Sequence, residues 1–128
     1  MSLVIGSVIL AALMVMITKI PVAYAMAQKG GYDNKQPREQ QAKLQGFGLR
    51  ALAAHQNSIE AFPLFAIGVV LALWAEAPLA SVEMLCGVFV LARFAYMACY
   101  WFDIASLRSV VWFMGFGSSI WLMALALP

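Results

Sequence analysis

Four long apolar stretches constrain the fold of this chain more than any other feature. They cover about residues 3–27, 46–74, 79–101 and 107–127, and a membrane-spanning helix needs about 20 apolar residues. The chain is 64% hydrophobic and only 11% charged, which is far from the composition of a soluble domain. We therefore predict an all-α integral membrane protein, a single bundle of four transmembrane helices in the lipid bilayer with no room for a second domain.

The first apolar stretch contains a base, Lys19, and a proline, Pro21, in its last third. Residues 2–18 have no charge and the first base, Lys19, follows the apolar run, which is the wrong order for a cleaved signal peptide. Pro21 predicts a kink near the end of this helix. We therefore expect the segment to remain in the protein as the first span.

The loops differ in charge, and this difference predicts the topology. The first loop, residues 28–45, is polar, contains glycine and proline, and holds four bases: Lys29, Lys35, Arg38 and Lys43. The second loop has Glu76 and no base. The positive-inside tendency then places the first and third loops in the cytoplasm and both termini outside. Since topology explains the bases, no nucleic-acid partner is predicted.

Neither the cysteines nor the single histidine form a metal motif. Cys86 and Cys99 lie in one predicted helix, too far apart for metal-ligand spacing and poorly placed for a disulfide framework. We interpret both as buried packing residues, and His55 as a hydrogen-bonded helix residue. No metal site is predicted.

The second helix carries a polar stripe inside an apolar segment. At about 100° per residue, Arg50, Asn57 and Glu60 fall within an arc of roughly 80°, whereas His55 points to a different side. An ionisable residue in a spanning helix is costly and usually faces the bundle interior or a wet cavity, so Glu60 is a candidate functional residue. The alternatives are a structural Arg50–Glu60 ion pair and an interhelical hydrogen bond of Asn57.

A second polar group lies on the third helix. Arg93, Tyr96 and Tyr100 share one face at i, i+3 and i+7 spacing. A mid-helix arginine needs an acidic partner, and we expect it to be Glu60 or an acid of another subunit. The two tyrosines are either ligand contacts or packing aromatics.

The order of these residues resembles a known family. The pattern Arg50-x4-His-x-Asn57-x2-Glu60-x2-Pro63, then Arg93-x2-Tyr96-x3-Tyr100, then Arg108-Ser109 is similar to that of the membrane-associated proteins in eicosanoid and glutathione metabolism (MAPEG). The similarity extends from about Gly46 to Gly115. It implies a homotrimer of four-span subunits with glutathione held between them. Vertebrate members are glutathione transferases, glutathione-dependent peroxidases, leukotriene-forming enzymes and prostaglandin-forming isomerases.

The resemblance also implies roles for single residues. Asn57, Glu60, Tyr96 and Tyr100 match positions that bind glutathione, and Arg50 and Arg93 complete the candidate glutathione site. Arg108 matches an arginine to which stabilisation of the glutathione thiolate is assigned, and Ser109 beside it matches a serine of isomerase-like members. These two are the candidate catalytic residues, because a guanidinium next to a thiol favours the nucleophilic thiolate.

The expected function is that of a membrane-bound glutathione transferase or glutathione-dependent peroxidase, acting on a small lipophilic electrophile. Ala53 departs from the family, since many members have a second arginine there. One alternative is therefore a non-catalytic membrane protein that keeps the fold and binds no glutathione. Another is a small proton-coupled multidrug exporter that uses Glu60, because an embedded glutamate in a short four-span chain also suits that function.

Overall fold

The computed structural model describes all 128 residues, which form six helices joined by short connections. The helices are α1 (Ser2–Ile17), α2 (Lys19–Ala27), α3 (Pro37–Ala42), α4 (Phe47–Trp74), α5 (Leu79–Trp101) and α6 (Ala105–Ala124). Four helical segments are long and apolar enough to cross a membrane: α1 with α2, then α4, α5 and α6. The prediction of an all-α, four-span membrane protein is therefore confirmed.

The first span consists of two helices that meet at Thr18. Pro21 has no N–H to donate to the carbonyl of Ile17 and its ring crowds that carbonyl, so the helix is interrupted before the proline. The Thr18 hydroxyl donates to the Met14 carbonyl at 2.8 Å and lies 3.1 Å from Nδ1 of His55 on α4. Thr18 therefore contacts the second span at the point where the first span is interrupted.

The first loop, residues 28–45, contains a short helix that its polar sequence with glycine and proline did not predict. Pro37 occupies its first turn and Glu39 adds an acidic side chain there, and both features favour a helix start. The side chain of Gln40 then donates to the carbonyls of Gly31 at 2.6 Å and Met26 at 3.3 Å. This amide holds α3 against the end of α2.

The core lies between α1, α4, α5 and α6. Phe65 of α4 and Phe89 of α5 stack with ring centroids 3.9 Å apart, and both side chains are fully or nearly fully buried. The backbones of α4 and α6 approach closely at Gly68, where an added Cβ would lie 2.8 Å from the carbonyl oxygen of Ser119 on α6. Only glycine permits this contact, so it fixes the spacing of α4 and α6.

The outer surface of the bundle is apolar along the spans. Val70, Leu91 and Phe113 are all more than 60% exposed, as expected for side chains that face lipid. At one end the N-terminal ammonium pairs with Glu83 at 2.7 Å.

Candidate functional site

Arg93 is the centre of the polar residues in the bundle. Its side chain is almost fully buried on α5 and donates to the Asn57 side-chain oxygen at 2.7 Å and to the Ser58 hydroxyl at 3.3 Å. The guanidinium carbon also lies 4.5 Å from the centroid of the Tyr96 ring, a cation–π contact. Arg93 therefore links α4 to α5 in the middle of the membrane-spanning part.

The partner of Arg93 differs from the one we expected. Arg93 forms no salt bridge within the chain; its partners are a neutral amide and a hydroxyl. Glu60 is linked to Arg93 only through Asn57, since the Asn57 amide nitrogen donates to the Glu60 carboxylate at 3.5 Å. Asn57 thus separates the acid from the base, and the Glu60 carboxylate keeps most of its capacity to accept hydrogen bonds.

A cavity of about 120 Å³ lies beside this chain of hydrogen bonds, between α4, α5 and α6. Asn57, Glu60 and Arg93 supply its charged and amide groups, and Phe89 and Trp112 are among its apolar walls. Glu60 is exposed at the edge of the cavity. We refer to this space as the Glu60 cavity.

A second cavity, of about 260 Å³, lies between α5 and α6. It is lined by Tyr96, Tyr100, Arg108, Ser109, Trp112 and Phe113, and we refer to it as the Arg108 cavity. The guanidinium carbon of Arg108 lies 4.4 Å from the centroid of the Tyr100 ring, and the Tyr96 and Tyr100 rings meet edge to face at 5.2 Å. Arg108 belongs to the first turn of α6, so the fold holds this cation next to two phenols.

The two cavities share the side chain of Trp112 as a wall. Arg93 lines the first and Tyr96 lines the second, and these two side chains are in direct contact. Seven of the eight candidate residues therefore lie along one continuous strip on α4, α5 and α6. Trp112 was not singled out from the sequence, although it lies four residues after Arg108 and so on the same face of α6.

Arg50 is the exception among the candidate residues. Its Nε donates to the Tyr100 backbone carbonyl at 3.1 Å, and its Nη1 lies 3.7 Å from the Asp103 carboxylate. It forms no ion pair with Glu60, so the alternative of an Arg50–Glu60 pair is not found. Arg50 instead joins the start of α4 to the end of α5.

Comparison with known proteins gives one match. The model of the MAPEG family matches residues 3–128, nearly the entire chain. No curated protein and no solved structure matches the chain. The extent of the family match and the four-span helical fold lead to one conclusion: the chain belongs to the MAPEG family.

Proposed function

We propose that this protein is a membrane-bound glutathione transferase or glutathione-dependent peroxidase that acts on a lipophilic electrophile. The observation that carries the proposal is the strip formed by the Glu60 and Arg108 cavities. It has a carboxylate at one end, an arginine and two phenols at the other, and it lies within helices that cross the membrane. A polar tripeptide and an electrophile dissolved in the bilayer can meet there.

The groups along the strip suit the chemistry of glutathione. An ammonium requires an acceptor with free capacity, and Glu60 has only one long hydrogen bond, at 3.5 Å. Peptide groups require both donors and acceptors, which the Asn57 amide supplies. The Tyr96 and Tyr100 hydroxyls can donate to a carboxylate or a sulfur atom.

Arg108 is the proposed catalytic residue. A thiol close to its usual pKa is mostly protonated at neutral pH, and the thiolate is the nucleophile. The Arg108 guanidinium favours the thiolate because opposite charges attract, and more strongly so where water is scarce. Ser109, on the same turn of α6, lines the same cavity, and its hydroxyl is a further donor.

The reaction then follows from simple bond changes. In the transferase case the thiol proton leaves to water, the sulfur forms a bond to the electrophilic carbon, and the leaving group departs with its electron pair. In the peroxidase case two thiols become a disulfide while a hydroperoxide is reduced to an alcohol and water. In both cases glutathione supplies the sulfur nucleophile, so the protein needs none of its own.

We also propose that glutathione is held between the subunits of a homotrimer. Sites for drug-sized ligands usually have volumes of about 300–1,000 Å³, and each of the two cavities is smaller than this. A neighbouring subunit that packs against the strip would enclose a larger site. The loop bases, including Lys29, favour an orientation with the first and third loops in the cytoplasm.

The test is a thermal-shift titration of the detergent-purified protein with glutathione. A ligand that binds only the native state stabilises it increasingly with concentration, by about 2.7 kcal/mol at 100 times Kd. Glu60→Gln should weaken binding about tenfold, because it removes a charged acceptor. Glu39→Gln, an exposed change on α3 far from the strip, is the matched control. Absence of any stabilisation by glutathione would refute the proposal and favour the non-catalytic alternative.

A further inference from the structure

A third cavity, the largest of the polar ones, lies on a different side of α4 from the strip. It has a volume of about 570 Å³, is open on one side, and is lined by residues of α2, the first loop with α3, and α4. Its polar lining consists of Lys19, Tyr32, Arg38, Gln41, His55 and Gln56. It shares no residue with the Glu60 or Arg108 cavities and contains two cations but no acid.

Lys19 has an unusual position for a charged residue. It lies within the first span, Ser2–Ala27, roughly 12 Å from the end of that span at 1.5 Å per residue. Its ammonium belongs to none of the ion pairs of the chain. A charge at membrane depth is costly unless it pairs or reaches water, and it marks a functional site by default. Lys19 is therefore a cation within a span that has no acidic partner in the chain.

Arg38 adds a second cation to the same cavity. It lies on α3, which the Gln40 side chain holds against the end of α2, and it also forms no ion pair. A guanidinium can donate two parallel hydrogen bonds to one phosphate group, whereas an ammonium acts as a point charge. The amides of Gln41 and Gln56 and the phenol of Tyr32 are further donors.

The remaining wall of the cavity is apolar. Leu52 and Ile59 of α4 line it, and Ile59 is 48% exposed. A space that holds one cation from the loop helix α3, a second cation from the first span and no acid, beside apolar side chains of α4, suits an oxyanion. We propose that this cavity binds a phosphate group, supplied either by a membrane phospholipid or by free phosphate.

Native mass spectrometry of the detergent-purified protein tests this proposal. The protein is titrated separately with phosphatidylglycerol, with phosphatidylcholine and with inorganic phosphate, and retained ligand is counted per subunit. We expect saturable binding that falls about tenfold in Lys19→Met, because a charged hydrogen-bond partner is lost. Arg38→Gln, an exposed change that leaves the packing of the spans intact, should have an effect of similar size. Lys43→Met removes a loop cation outside the cavity and is the matched control.

The possible results distinguish a phospholipid from free phosphate, and they also show whether the cavity binds phosphate at all. Saturation by phospholipid alone identifies a lipid site, and saturation by inorganic phosphate identifies a site for the free ion; both support the proposal. Three results would overturn it: no saturable binding of either source, an equal loss in Lys43→Met, or displacement of the bound phosphate by glutathione. The last would make the cavity part of the glutathione site.

Discussion

The hydrogen bond between Arg93 and Asn57 gives the sharpest prediction for the stability of the bundle. Asn57→Ala removes the acceptor that lies 2.7 Å from Nη1 of Arg93 and leaves that N–H unsatisfied in a side chain that is only 4% exposed. Hydrogen bonds between membrane helices contribute about 0.6 kcal/mol on average. A charged donor raises this to about 1.5–3 kcal/mol, so we expect a loss of about 2 kcal/mol.

Ser58→Ala is the matched control for this prediction. Ser58 accepts from the same guanidinium at 3.3 Å, a longer and therefore weaker bond. Its loss should cost about 0.5 kcal/mol, towards the lower end of the usual range. Reversible unfolding of both variants in mixed micelles, followed by circular dichroism, measures the two differences.

A double-mutant cycle with Arg93→Met isolates the interaction itself. In that background Asn57→Ala should be nearly neutral, because no buried N–H of Arg93 is left without its acceptor. The reasoning fails if Asn57→Ala costs less than Ser58→Ala, or if its cost is the same with and without the Arg93 side chain.

Three further predictions follow from other parts of the structure. Arg108→Ala should lower the rate of glutathione conjugation at least about tenfold with the oligomer intact by size-exclusion chromatography; an unchanged rate removes Arg108 from the mechanism. Gly68→Ala should destabilise by about 1–3 kcal/mol, because its Cβ would lie 2.8 Å from a backbone oxygen. Gly87→Ala, where no atom is near, should stabilise by about 0.5 kcal/mol; similar thermal midpoints for both glycine variants would contradict this. Asp103→Asn should change stability by less than about 0.5 kcal/mol, since the pair with Arg50 is long and exposed, and a larger change in unfolding free energy would show that the pair matters.

The sequence predicted the spans well because bilayer thickness dictates their length. The positions of the helix break in the first span and of the short helix in the first loop were predicted less well. The break at Thr18 comes before the kink expected at Pro21, because the proline affects the carbonyl one turn earlier. The short helix Pro37–Ala42 has a proline start and an early acid, but it lies in a polar loop that also contains glycines, and the sequence did not predict it.

Partners across helices were harder to predict than faces along one helix. Spacing alone grouped Tyr96 with Tyr100, and the structure has the two rings in contact. Spacing also grouped Arg50 with Glu60, yet Arg50 bonds to the end of α5. The rotation of one helix against another depends on packing contacts such as that at Gly68, which the sequence of a single helix does not encode. Whether Lys19 has an acidic partner likewise depends on contacts between helices, and in the structure it has none.

The position of Trp112 has a consequence for the shape of the two cavities. Its ring stacks on Phe116 with centroids 5.1 Å apart and meets Phe113 edge to face at 5.0 Å. These two aromatic side chains fix the orientation of the indole between the two cavities. Trp112 is the one side chain that lines both cavities, so its indole forms a large part of the division between them. We expect a smaller residue at this position to open a passage between the Glu60 and Arg108 cavities, so that one longer molecule could occupy both without any helix having to move.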